Sequence, residues 1–189
     1  MNTVTVHNQK GFTLVEIAIV LVIIGLLLGG VLKGQELIVN SKIKGVTGDL
    51  EGVAAAYYAY QDRTGNVAGD SDNDGQIDDN SQFWNDLRRE GFISGAATAS
   101  GTTATGPRHD LDGVFTAHSP DLTAAVVFGT RNFICASNIE NSVAQGMDTK
   151  LDDGVGDTGS IRSSIDDLAT FEVYVPATPD DETIICKEL

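Results

Sequence analysis

Apolar and polar positions divide the chain into three regimes. From Phe12 the text runs Phe-Thr-Leu-Val-Glu-Ile-Ala-Ile-Val-Leu-Val-Ile-Ile-Gly-Leu-Leu-Leu-Gly-Gly-Val-Leu, and the sixteen residues between Glu16 and Lys33 carry neither a charge nor a hydrogen-bonding side chain. With Phe12 to Val15 added, the segment approaches the ~20 residues that a membrane-spanning helix needs. Beyond Lys33 the pattern stays helical but turns amphipathic: Leu37, Ile38, Ile43, Val46, Leu50, Val53, Ala54 and Tyr57 recur mostly three and four apart, one stripe that packs onto a globular domain. Glycines are numerous here (Gly25, Gly29, Gly30, Gly34, Gly45, Gly48, Gly52). They let neighbouring helices approach closely or let part of the helix extend, and the pattern does not choose between the two.

After Tyr60 the helix gives way to an Asp-, Asn- and Gly-rich stretch over residues 65–80. Residues 81–95 predict a short helix stopped by Gly91, with Phe83, Trp84 and Leu87 on its apolar side. The Thr, Ala and Gly run over 98–106 predicts an exposed loop without core residues. Residues 124–128 and 132–135 predict a hairpin, Ser137 caps a helix reaching Met147 with Ile139, Val143 and Met147 on one face, and 171–175 and 183–186 supply further strands. The expected fold class is α+β: a long N-terminal helix laid against an antiparallel sheet.

Charge and chemistry narrow the function. The 189 residues hold 12 basic and 27 acidic side chains, a net charge of -15, and a general phosphate-backbone binder needs clustered Lys and Arg instead; no nucleic acid is expected as a partner. His7 falls in the N-terminal eleven residues, leaving His109 and His118 with no cysteine pair or HExxH spacing beside them. Ser119-Pro120-Asp121 is no nucleophile elbow, and residues 101–106 lack the lysine of a phosphate loop. No enzyme is expected.

Residues 1–11 read as a leader with Lys10 as its one formal charge. A secretory signal is cut after its apolar run, at small residues, but Lys33-Gly34-Gln35-Glu36 follows this one directly, so the helix is expected to be kept. Lys10 before the run and acidic character after it orient the start inward and the bulk outward. Glu16 is the anomaly, because an unpaired carboxylate in an apolar span costs ~2.5 to 3.5 kcal/mol at the centre and less near the end. Either it sits at the headgroup boundary and needs no partner, or a cation meets it in a packed assembly. A cut after Gly11 would create that cation as the new amino terminus of Phe12, one helical turn away.

Lys10-Gly11-Phe12-Thr13-Leu14-Val15-Glu16 followed by an apolar helix resembles the processing site of type IV pilins and pseudopilins. The resemblance implies cleavage after Gly11 by a membrane prepilin peptidase, N-methylation of Phe12, and pairing of Glu16 with the amino terminus of an adjacent subunit. The domain plan is then a leader (1–11), a transmembrane and polymerisation helix (12–32), its amphipathic continuation (33–60) and a pilin-like globular domain (61–189). The subunit is expected in the inner membrane with its bulk in the periplasm. It then passes through an assembly platform into a periplasmic pseudopilus or extracellular pilus built of its own copies or other pilins. Pilin helices commonly contain a kinking proline; this chain has none before Pro107.

Asp70, Asp72 and Asp74 alternate, Gly75 permits a sharp turn, Gln76 offers a backbone carbonyl, Ile77 plugs the core and Asp78 stands ninth. That is the ligand order of an EF-hand-type loop, whose hard oxygens suit Ca2+. The twelfth position is Ser81 rather than Glu, so closure falls to Asp79 or Asp86 and weak, structural binding on the order of 0.1 to 1 mM is expected. A solvated turn has the same composition. Asp152, Asp153 and Asp157 form a second acidic stretch with donors for another cation, but without the alternation a helix stop and solvated turn is the preferred reading. Cys135 and Cys186 are the only cysteines, and the export implied above predicts one disulfide between them, a feature also familiar from pilins. The leading functional reading is a structural filament subunit. A minor pilin acting as a tip-located binding module and a tethered calcium-binding domain that never polymerises are the alternatives.

Overall fold

The structure, a computed structural model, describes residues 11–98, 104–119, 131–164 and 182–189. The predicted strands at 124–128 and 171–175, the first ten residues of the predicted leader and the middle of the 98–106 loop lie outside these. The chain divides into two compact units, residues 1–39 and 40–189, and the first helix, α1 (Leu14–Thr64, 51 residues), contributes to both.

In the first unit α1 carries an unbroken apolar surface. Ile17, Ile19, Val20, Leu21, Val22, Ile23, Ile24, Leu26, Leu27, Leu28, Val31 and Leu32 are all exposed, and α1 is long and apolar enough to cross a membrane. A Cβ built on Gly25, Gly29, Gly30 or Gly34 would meet nothing.

In the second unit α1 buries Ile43, Val46, Thr47, Leu50, Val53, Ala54, Ala56 and Tyr57, whereas Leu37 and Ile38, members of the same predicted stripe, are exposed. α2 (Asn80–Arg89) buries Phe83, Trp84 and Leu87 on the expected face. Gly91 terminates it at φ +78, with the amides of Gly91 and Phe92 donating back to the carbonyls of Arg88 and Leu87. That closing pattern needs the left-handed conformation glycine supplies.

Among the described residues four antiparallel strands, β1 (Phe115–His118), β2 (Phe133–Glu140), β3 (Ile161–Ser164) and β4 (Glu182–Glu188), stand in the order β1-β2-β4-β3. The result is an α+β, pilin-like architecture: a long N-terminal helix packed against a four-stranded antiparallel sheet. Pairing of Cys135 with Cys186 sets the β2–β4 register, which slips by one residue between Ala136 and Ile139. This bulge corrects the expected helix cap at Ser137. The residue lies in β2, its Oγ accepting from the Val114 amide, and Ile139 is a strand residue paired with Thr183. α3 starts only at Asn141; Glu140 stands at its N-cap without a side-chain cap bond, and its carboxylate pairs with Lys42 of α1. β1 and β3 were not expected. The end of the 98–106 run is also more buried than expected: Ala104 is in the core, and a Cβ on Gly106 would overlap the Phe115 carbonyl.

Candidate functional site

At the chain start Gly11, Phe12 and Thr13 precede the helix and are exposed. The Gly11–Phe12 bond thus sits in non-helical backbone, two residues ahead of α1. Glu16 is held by Thr13: its Oε2 accepts from the Thr13 amide (2.8 Å) and from Thr13 Oγ1 (2.7 Å), and the Glu16 amide donates to Thr13 Oγ1 (3.3 Å). This is a capping box, Thr at the N-cap and Glu three residues on, each satisfying an amide of the other. The signal T-x-x-E before an apolar run stood in the sequence, and reading Glu16 only as an intramembrane charge passed over it. Phe12, Ile17, Ile19 and Val20 line a shallow apolar groove beside the carboxylate.

The acidic loop closes on Gly69, whose carbonyl accepts from the amides of Asp78 (3.0 Å) and Asp79 (3.2 Å). Of the five predicted ligands, Asp70, Asp72 and Asp78 each bring a carboxylate oxygen to within 4.8 Å of the others. Two oxygens bound to one Ca2+ at ~2.4 Å can lie at most about that far apart, so the spacing meets a necessary condition for sharing one ion. Asp74 is not in the group: its oxygens accept from the backbone amide (2.7 Å) and the side-chain amide (3.1 Å) of Gln76. Asp70 accepts from the amides of Asn73 (2.6 Å) and Gly75 (2.9 Å). The Ser71 hydroxyl, then the Ser71 amide, hold the Asp78 carboxyl below the usual carboxylate range.

Both residues considered for closing the loop have other work. Asp79 is the N-cap of α2, accepting from Ser81 (2.6 Å) and Gln82 (3.2 Å), while buried Asp86 accepts from the Gly69 amide at 3.1 Å. What anchors the loop was not predicted. Asn132, buried where β2 begins, accepts from the Ile77 amide (3.1 Å) and donates to the Gly75 carbonyl (2.9 Å) and the Tyr57 hydroxyl (3.3 Å). Ser119 donates to the Ile77 carbonyl at 2.9 Å. Both reach the loop from more than forty residues away, a separation no local pattern signals.

In the second acidic stretch the residues brought together are Asp148, Asp152 and Asp153, and Asp157 is not among them. Asp148 accepts from Gly154 (3.0 Å), and Asp152 gathers Ser160 and Ile161 (3.0 Å). Asp153 takes the Thr158 hydroxyl (2.6 Å) and the Val155 amide (2.9 Å), which hold its carboxyl below the usual range. These bonds tie the end of α3 to the start of β3, as a turn would. Cys135 and Cys186 meet at disulfide distance inside the sheet, packed with Phe133 and Ile184.

The two histidines are structural in their contacts. His109 sets its Nε2 against the Ser137 carbonyl at 2.9 Å, while its Nδ1 accepts from Leu111 at 3.3 Å. His118 stacks on Phe133 with its Nε2 buried and without a partner among the described residues, and burial pushes its pKa down to about 4. No pair among these groups makes a nucleophile and base.

The curated proteins and the solved structures contain no match to this chain. One family description does match: the prokaryotic N-terminal methylation motif, over residues 6–32. The chain therefore carries the type IV prepilin-like signature on the same residues that form the start of α1, which supports a type IV pilin or pseudopilin-like protein.

Proposed function

We propose that this protein is a structural subunit of a type IV pilus or type II secretion pseudopilus, polymerising through the first part of α1. The observation that carries the reading is the coincidence of the methylation motif with an exposed, wholly apolar helix surface over residues 17–32. Such a surface suits lipid first and a helical filament core afterwards. In this reading a prepilin peptidase cuts after Gly11 and the amine of Phe12 is methylated. That amine then neutralises Glu16 of a neighbouring copy as subunits leave the inner membrane for the periplasmic or extracellular filament. The chemistry asked of the chain is assembly, with no catalytic step.

Mass spectrometry of the mature chain tests the first step: the expected start is N-methyl-Phe12, and any other start counts against the reading. Glu16→Ala is expected to insert in the membrane yet fail to enter filaments. Normal filaments from that variant would defeat the pairing.

The acidic loop has its own place in the proposal. Asp70, Asp72 and Asp78, with Asp74 or Gln76 recruited by a small rearrangement, would hold a structural Ca2+ at the extracytoplasmic face. Its contribution is to cancel repulsion in a loop that carries four acids in nine residues. Millimolar calcium should raise the melting temperature of the wild type and not that of Asp70→Asn or Asp78→Asn; a wild type indifferent to calcium removes the metal. Cys135 and Cys186 are proposed to be oxidised in that compartment, closing a loop of separation 51, worth about 4 kcal/mol in the chain-entropy view.

A further inference from the structure

We propose that His109 is a pH-sensitive rivet: in its neutral form it pins the tip of the 108–114 turn to β2, and on protonation it lets go of that tip, which lines an acidic cleft. The proposal is independent of the filament reading above.

The ring joins two parts of the fold. Residues 108–114 form a tight turn, bridged between Arg108 and Val114 and closed by the Asp112 amide donating to the His109 carbonyl at 3.1 Å. His109 is buried, its ring edge-to-face with Phe115 of β1. A Cβ on Gly113 would lie 2.3 Å from His109 Nε2 and 1.9 Å from the Ser137 carbonyl oxygen, so the turn packs directly on the ring. Asp110, Leu111 and Asp112, at the tip, line a cleft of about 470 Å3 together with Asn138, Glu140 and Glu182.

The hydrogen bonds fix which nitrogen carries the proton. A backbone amide can only donate and a backbone carbonyl can only accept. The Leu111 amide donates to Nδ1 at 3.3 Å, so Nδ1 is bare; Nε2 then carries the proton and donates to the Ser137 carbonyl at 2.9 Å. Both nitrogens are satisfied together only in this neutral tautomer. A second proton has one place to go, Nδ1, where it sets N–H against N–H at Leu111. That contact breaks while the Ser137 bond survives, so the effect is confined to the tip of the turn. Histidine is the side chain whose ordinary titration falls between pH 8 and 5.

The charged groups around the ring come from each element beside it. Its own turn carries Arg108, whose Nη1 donates to the Asp112 carbonyl, with Asp110 and Asp112. β2 brings Glu140, paired with Lys42 of α1, and β4 brings Glu182. α1 passes Asp110 at Gly45 and carries Lys44 beside it. β1 presents the uncharged Phe115 ring. No described hydrogen bond joins any of these charges to the imidazole, and free carboxylates titrate at about pH 4, below the window.

The test is amide hydrogen exchange by NMR on the full chain in detergent, from pH 8 to pH 5, with each rate divided by its unstructured-chain value at the same pH. The wild-type Leu111 amide should lose protection about fivefold on acidification, the net worth of one hydrogen bond. The Val114 amide, held by Ser137 Oγ at 3.1 Å, should keep its protection. A flat Leu111 profile overturns the proposal, and so does an equal loss at Val114, which would mean that the whole turn opens. His109→Asn sets a non-titrating acceptor near the place of Nδ1 and should abolish the response; a Leu111 response that survives there overturns the role of the ring. Should that variant not fold, His118→Phe decides. The Leu111 response must persist at wild-type size in it, and its disappearance would assign the response to His118 and overturn the proposal.

Discussion

Asn132→Ala is the most informative single perturbation of the globular unit, because one buried side chain ties three separate segments. Its amide accepts from the Ile77 backbone at 3.1 Å and donates to the Gly75 carbonyl at 2.9 Å and to Tyr57 at 3.3 Å. These losses are unequal. Gly75 is exposed and water can replace the lost donor, while the Tyr57 contact is long. Ile77 is fully buried, so its amide is left with no acceptor. An unsatisfied buried donor costs about 1 to 3 kcal/mol, and a small cavity beside Tyr57 adds to it. A loss of about 2 to 3 kcal/mol is expected. With a urea dependence of roughly 1 to 3 kcal/mol per molar, the midpoint should fall by about 1 to 2 M with unchanged slope. Trp84, the single tryptophan, is fully buried against Phe83 and reports the transition by fluorescence. The Ile77 amide should also exchange faster than its neighbours in α2. A midpoint within about 0.3 M of wild type, a difference of under ~1 kcal/mol at that slope, would refute the clamp.

Three further outcomes follow from the same geometry. His118 is held near pKa 4 by burial against an unfolded value of 6.5, so the unfolded chain takes up the proton first: stability is complete above pH 6.5 and falls by about 2 kcal/mol by pH 5. His118→Phe, which keeps the stacking on Phe133, should flatten that slope in urea titrations across the window, and a slope identical to wild type would clear His118 of the role. Asp79→Ala should cost ~1 kcal/mol through the lost cap of α2 while Asp79→Ser costs little; a fall in calcium response with Asp79→Ser would instead make Asp79 a ligand. Gly69→Ala should destabilise by more than ~1 kcal/mol, since Gly69 has φ +76 and a Cβ there would lie 2.8 Å from the Asp79 carbonyl oxygen. An unchanged thermal midpoint would contradict it.

What could be read in advance was whatever a local pattern encodes. The apolar run of α1, the Phe83, Trp84 and Leu87 face of α2 with its Gly91 stop, and the cores of β2 and β4 are periodic or bounded by strong turn residues. β3, Ile161-Arg162-Ser163-Ser164, offers no alternation of its own and is a strand because Ile184 to Lys187 pair with it. β1 is only four residues long, with Gly113 two positions before it and Pro120 two positions after it in the sequence. In the acidic loop, spacing brought Asp70, Asp72 and Asp78 together but not Asp74, because Gln76 competes for Asp74 with two donors. The backbone bonds that decide such a contest are not visible in a list of residue types.

Two four-residue strings show where the boundary of legibility falls. Thr13-Leu14-Val15-Glu16 and Ser137-Asn138-Ile139-Glu140 carry the same hydroxyl-to-glutamate spacing ahead of a helical pattern. The first folds as a capping box; the second is a strand with a bulge. The difference lies in what else claims the groups. Around Thr13 the described chain offers no competing partner, so the local bonds form by default. Around Ser137, β1 and β4 lie on either side, the Ser137 amide and hydroxyl both reach the Val114 carbonyl, and Lys42 takes the glutamate. Ile139 is completely buried in the strand. Burying one such side chain is worth about 1.5 to 3 kcal/mol against about 1 for a cap, and the ladder bonds of β2 add to it, so tertiary pairing wins. Removing the Lys42 claim should therefore not restore the cap: Lys42→Met is expected to leave β2 and the start of α3 where they are, and an NMR assignment showing Ser137 turned helical in that variant would invert the ranking of these forces.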